Sequence, residues 1–186
     1  MSAGGDSVDA IVAAWSRERP DLDVSPLTAL SRVSRLARHL DLARRDVFAR
    51  HGLDPGEFDV LAALRRSGAP YEMSPGALAE ETLVTSGTMT NRVDRLQSAG
   101  LIDRQRAVDD RRGVRVRLTD AGRERVDAAL VDLLEVEQSL LAELTPAQSA
   151  DLAAHLRVLV APIERSRDQM RTTDRAERVS DSAHEA

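Results

Sequence analysis

The chain has no cysteine and no lysine. Without a thiol there is no disulfide framework, no thiolate metal ligand and no cysteine redox sensor. All 26 basic residues are arginine, which beside so much Ala, Leu and Asp fits a GC-rich coding sequence better than a special mechanism. Aromatic residues make up 2%, so Leu, Val and Ala must fill the core that 186 residues of 42% apolar composition can build. No apolar run reaches the roughly 20 residues of a membrane span, and the opening Met-Ser-Ala-Gly-Gly-Asp has no signal-peptide pattern, so a cytoplasmic location with no membrane partner is expected. The nucleophile elbow, Walker loop, dinucleotide glycine pattern and paired-histidine zinc helix are all missing, which argues against an enzyme. His39, His51, His155 and His184 lack acidic residues at ligand spacing, and neither metal nor cofactor is expected.

What is present is concentrated between residues 74 and 119. Ser74-Pro75 pairs a side-chain cap with a proline at the first helical position, where the missing N–H costs nothing. A short helix follows, then a turn at Val84-Thr85, then a second helix over residues 86–98 that Gly100 ends. Met89, Val93 and Leu96 recur at helical spacing and turn one stripe to the core, leaving Gly87, Thr88, Asn91, Asp94 and Arg95 opposite. Small hydroxyls, an amide and an arginine suit a DNA major groove. Ser74, Ser86, Gly87, Thr88, Thr90, Asn91 and Arg95 are therefore candidate DNA contacts, Ser86 and the adjacent backbone N–H groups through phosphate.

Residues 101–106 and 114–118 alternate as two strands around Asp109-Asp110-Arg111-Arg112-Gly113, a wing whose Arg111 and Arg112 are candidates for phosphate or the minor groove. A solvated hairpin is the alternative for the charges taken alone. The charge balance favours the wing. The whole chain is formally −5, yet residues 85–117 hold eight Arg against four Asp, a local +4 that leaves −9 for the remainder.

Around this motif the chain reads as helices. Ser25-Pro26, Asp54-Pro55-Gly56-Glu57 and Thr145-Pro146-Ala147-Gln148 open three of them, the last two with capping boxes. The helix over residues 119–144 carries Val126, Leu130, Leu133, Leu134, Leu140, Leu141 and Leu144, and the last carries Leu152, Leu156, Leu159, Val160 and Ile163. These stripes exceed what a small winged domain covers. They predict a two-fold homodimer that presents paired reading helices and wings to a palindromic operator in double-stranded DNA, an intramolecular bundle being the alternative. His39 is a candidate pH-sensitive contact at that seam.

The expected architecture is mainly α with a small β-wing. Residues 1–24 form an added helix and linker, 25–52 a dimerisation helix, 53–119 the winged helix-turn-helix domain, 120–168 the C-terminal dimerisation helices and 169–186 a disordered tail. The order of parts, with Asp110-Arg111-Arg112 followed by Val116-Arg117-Leu118-Thr119-Asp120-Ala121-Gly122, resembles the MarR (multiple antibiotic resistance regulator) family of dimeric winged helix-turn-helix repressors. The resemblance covers residues 26–163 and implies a repressor released from operator DNA by a small molecule.

A narrower resemblance rests on the N-terminal segment. Val8, Ile11, Val12 and Trp15 form an amphipathic stripe too short to persist undocked. The run Trp15-Ser16-Arg17-Glu18-Arg19-Pro20-Asp21-Leu22-Asp23, with Phe58-Asp59-Val60-Leu61 and Thr90-Asn91-Arg92, is similar to the urate-responsive branch of that family. The resemblance implies a small anionic ligand, such as urate, another purine or a polycarboxylate, bound by Trp15, Asp59, Arg92 and Arg104. The residues themselves point the same way. Arg92 flanks the buried stripe, Arg104 shares a strand face with Ile102, and an unpaired Asp59 among apolar neighbours is costly. A structural salt bridge from Asp59 to one arginine is the alternative reading. A regulator of phenolic response and a dimer of this scaffold without specific DNA recognition are the remaining alternatives.

Overall fold

The computed structural model describes residues 5–106 and 113–184, with elements in the order α1 (Ser7–Glu18), α2 (Pro26–Arg50), α3 (Pro55–Arg66), β1 (Glu72–Met73), α4 (Pro75–Glu81), α5 (Ser86–Ser98), β2 (Ile102–Arg106), β3 (Val114–Leu118), α6 (Asp120–Leu141) and α7 (Pro146–His184). The chain divides into two units, residues 1–137 and 138–186. The first is mainly helical with one antiparallel sheet of order β1-β3-β2, the winged helix-turn-helix arrangement.

Helix boundaries follow the capping chemistry. Asp54 and Glu57 close a full capping box on α3, Ser74 accepts from the Ala77 N–H at 3.1 Å, and Asp6 with Asp9 does the same work for α1. Ser25 makes no side-chain cap: its backbone is already helical at φ −54°, ψ −35° rather than extended as at the other caps, and its N–H donates to Asp23 at 3.0 Å. Gly100 takes a φ of +71° after α5, and the Leu101 N–H returns to the Leu96 carbonyl at 3.0 Å, the left-handed stop expected of it.

The core centres on α3. Val60, Leu61, Ala63 and Leu64 are buried on successive sides of this helix, because α2, α4, α5 and β3 all pack against it. Met89, Val93 and Leu96 bring α5 in, Ile102, Val116 and Leu118 bring the sheet, and Val126, Ala129 and Leu133 bring α6. Phe48 and Phe58, stacked 4.1 Å apart, supply much of the aromatic packing. Each fully buried leucine here contributes ~2 kcal/mol. Polar contacts line the α6 edge: ion pairs from Arg65 to Asp127 at 2.9 Å and Arg44 to Glu137 at 2.7 Å, and a hydrogen bond between His51 Nε2 and Asp132 at 3.0 Å. The His51 hydrogen bond, aided by Arg50, holds the Asp132 carboxyl below its ordinary range. His39 lies exposed on α2.

The wing register pairs Ile102 with Leu118, Arg104 with Val116 and Arg106 with Val114. Strand β1 was not foreseen. It is two residues long, without the alternation that marks a strand, and exists because Glu72 and Met73 meet the free edge of β3. Helix α1 docks on α2 through Val8, which is buried, and through Arg32, which reaches Asp6 at 2.9 Å and Asp9 at 2.7 Å.

In the second unit, Thr145 and Gln148 cap α7 reciprocally. Its backbone remains helical to His184, whereas composition assigned residues 169–186 to a disordered tail. Beyond Pro162 the sequence holds neither proline nor glycine, and Arg, Ala and Glu cost a helix little. Leu152, Val158, Leu159, Val160 and Ile163 are exposed along this helix. Among the described residues no helix is long and apolar enough to cross a membrane.

The sequence motif ending in Thr119-Asp120-Ala121-Gly122 locks α6 to the root of the wing. The Thr119 N–H donates to the Leu101 carbonyl at 3.1 Å, its hydroxyl donates to the Gly100 carbonyl at 2.9 Å and accepts from the Gly122 N–H at 3.0 Å. A Cβ on Gly122 would sit 2.0 Å from the Leu101 oxygen, an overlap with backbone that no rotamer relieves. Gly122→Ala should therefore cost about 2 kcal/mol in urea unfolding; an unchanged midpoint would show that α6 can lift away freely.

Candidate DNA interface and ligand site

The first turn of α5 is left bare by the fold. Thr85 caps it, accepting from the Thr88 N–H at 3.3 Å, and Ser86, Gly87, Thr88, Thr90 and Asn91 are all exposed. Thr90 donates its hydroxyl to the Ser86 carbonyl at 3.0 Å, whereas the side chains of Ser86 and Asn91 have no hydrogen-bond partner within the described residues. A Cβ on Gly87 would meet nothing within 4 Å. Packing among the described residues therefore does not require the glycine. Free N–H groups and the helix dipole make this end positive. Ser74 is partly buried and already occupied as the α4 cap.

Arg111 and Arg112 lie outside the described residues. Lower on the wing, Arg115 and Arg117 project from the solvent face of β3 opposite Gln105 and Asp103, with no ion pair within the described residues. Neither is among the candidate DNA contacts drawn from the sequence, and their outward alternation is the signal that could have added them.

The opposite flank of α5 grips α3. Arg95, grouped from sequence with the groove-facing residues, bonds Asp54 at 2.7 Å and Glu57 at 3.0 Å. It sits 60° beyond Arg92 around the helix, and its long side chain folds back onto the acidic cap of α3. The Arg92 guanidinium lies against the α3 backbone at Gly56, where a Cβ would come within 2.3 Å of Cζ. One terminal nitrogen of Arg92 is buried with no hydrogen-bond partner among the described residues. Such an orphaned donor is uncommon and costly.

Asp59, one turn further along α3, makes no ion pair with Arg92 or any other described residue. Its side chain reaches solvent, yet the surrounding protein desolvates it enough to push the carboxyl above its ordinary value. Arg92 opposes that shift most strongly, then Arg44 and Arg66, while Asp54 adds to it. Neither form of the sequence expectation for Asp59 holds in full: it is not sealed among apolar groups, and it is not bridged.

Arg104 emerges on the face shared with Ile102, as alternation requires, but Asp94 of α5 takes its guanidinium. The buried face of the sheet ends at that rung, so the side chain reaches an acid at the surface instead of the interior. Trp15 is half exposed on α1, with no ring or hydrogen-bond contact to Asp59, Arg92 or Arg104. Of the four candidate ligand residues, Arg92 and Asp59 are brought together; Trp15 and Arg104 are not joined to them. Gly56 escaped the sequence reading, although a glycine inside a well-capped first turn signals a close approach.

Comparison with known proteins agrees with this arrangement. Residues 51–113 match the model of the MarR family. The chain is 37% identical over 158 residues to the HTH-type transcriptional regulator PecS of Dickeya dadantii, covering 85% of this chain and 93% of that protein. Among solved structures it is similar to Sco5413, a MarR family transcriptional regulator from Streptomyces coelicolor, with a TM-score of 0.64 and 25% identity over 76% of this chain and 97% of that one. It is similar also to Bordetella bronchiseptica BpsR, whose DNA binding is regulated by 6-hydroxynicotinic acid, with a TM-score of 0.55 and 26% identity over 69% of this chain and 98% of that one. A bare reading helix, a three-stranded wing and relatives that regulate transcription place this chain in the MarR family of DNA-binding transcriptional regulators, and not among enzymes.

Proposed function

We propose that the protein is a homodimeric repressor that binds a palindromic operator and releases it when a small planar anion, with urate or a related purine first in line, enters between α3 and α5. The DNA reading is carried by the first turn of α5, where Ser86, Gly87, Thr88 and Asn91 are exposed and Asn91 has an unused amide suited to a base edge. Arg115 and Arg117, with the tip arginines Arg111 and Arg112, serve the backbone. Apolar residues left uncovered support the dimer: Leu30, Val33, Leu36 and Leu42 on α2, Leu130, Val131 and Leu134 on α6, and the α7 set. Scattered exposed leucines are ordinary, but three helices each carrying several are not.

The ligand reading is carried by the unpartnered Arg92 nitrogen. A guanidinium with one buried nitrogen lacking an acceptor among the described residues, beside a carboxylate that does not bridge to it, favours an incoming anion with oxygens or ring nitrogens to offer. Regulation of BpsR by 6-hydroxynicotinic acid supports an aromatic acid as the class. Trp15 supplies a flat surface for stacking if α1 carries it to the site, and Arg104 joins only by leaving Asp94. An anion drawn to Arg92 arrives on the same helix that reads bases. Since the half-sites demand reading helices about 10 bp apart, a tilt of α5 in each protomer removes specific binding. The ligand shifts the balance only because it binds the tilted form better.

Two glycine substitutions test the two halves separately. Gly87→Ala introduces a methyl into open space, so stability is retained while operator affinity falls roughly tenfold by fluorescence anisotropy; unchanged affinity would remove the first turn of α5 from the interface. Gly56→Ala displaces the Arg92 guanidinium, the flexible end of a side chain, at little cost to the fold. Its complex with operator DNA should then need about tenfold more urate for release than the parent's, and release at the parent's concentration would show that Arg92 is not the ligand's partner.

A further inference from the structure

An acid on a DNA-reading helix calls for a reason. Asp94 lies three and four residues after Asn91 and Thr90, which places it on the same side of α5 one turn further from the bare N-terminus. A carboxylate there repels phosphate, and removing it by charge alone would tighten DNA binding. It is held in an ion pair with Arg104 of β2, and both side chains remain partly exposed.

The place of that pair in the sheet is informative. Beyond Ile102 the strand β2 leaves the core, and Asp103 and Gln105 face solvent. Arg104 stands opposite Val116, the last buried residue of β3 toward the wing tip, since Val114 is already exposed. Core packing thus fixes the wing only as far as Val116, and the rung at Arg104 is where the hairpin meets α5 through a polar contact. The helix that enters one groove and the hairpin that reaches the next are joined there by one charged bond.

We propose that Asp94 and Arg104 form a positioning pair that fastens the wing root to the reading helix and sets the distance between the two DNA-contacting parts, Asp94 itself touching no DNA. This rests on the DNA-binding reading above and not on the ligand reading. An exposed pair contributes little to folding. Its effect appears on binding, where a loose wing must be ordered at the moment of association.

The test compares the full chain with Asp94→Asn, Asp94→Glu, Arg104→Gln and the double variant Asp94→Asn/Arg104→Gln. Each is measured against the DNA fragment that the wild type selects from a random-sequence pool and against a duplex of unrelated sequence. Asp94→Asn should lose roughly fivefold in affinity for the selected fragment, with binding to the unrelated duplex equal or tighter and thermal unfolding unchanged. Asp94→Glu should bind like the parent, and the double variant should be no weaker than Arg104→Gln alone, because the partners act as one unit. Asp94→Asn binding the selected fragment as tightly as the wild type, or more tightly, overturns the proposal, as does strict additivity of the two losses. A wild-type protein that selects no sequence overturns the DNA-binding reading itself, which separates the two failures.

Discussion

A helix that must keep one face bare for DNA can be held only by its other side. In this protein that hold includes two arginines. Arg95 spans the acidic cap of α3 at Asp54 and Glu57, and Arg92 lies over the backbone at Gly56. Met89, Val93 and Leu96 supply the apolar part of the attachment. Packing of that kind resists separation but tolerates small sliding, so direction and angle are left to the charged contacts. In the proposed function, an agent that gives Arg92 a new partner acts on the angle of the reading helix.

The same economy explains the charge distribution. A chain formally at −5 is poorly suited to DNA as a whole, yet residues 85–117 carry a local +4. Much of that charge has internal work. Arg95 and Arg104 are committed to acids on α3 and α5, and Arg92 lies against α3, so among the arginines of that segment whose side chains are described Arg115 and Arg117 are the two left without such a contact. The salt dependence of binding should reflect that smaller number of available cations rather than the full count.

Local chemistry makes the elements legible in the sequence alone. Caps at Asp54, Ser74 and Thr145 are set by groups two or three residues apart, and Gly100 by its own φ, so short windows suffice to place them. The wing was readable because its alternation runs five residues a strand. The partners of long side chains were not. Arg95 lies 120° from Met89 around α5, near the groove face by angle, yet its guanidinium reaches back to α3; Arg104 has the expected strand face but ends beyond the core, at Asp94. Helical angle fixes where a Cβ points, and an arginine's head lies several ångströms from it. Strand β1 and the helical end of α7 were missed for opposite reasons: the first is imposed by a neighbouring edge, and the second has helix propensity where polarity suggested a tail.

Coupling between Arg92 and the DNA-reading turn is most directly tested by amide hydrogen exchange on the DNA-free protein with and without urate. Protection should change together in the first turn of α3, residues 55–58, and in residues 87–91 of α5, with the α6 edge unaltered. Loss of operator binding on adding urate while both turns keep their exchange rates would contradict the coupling.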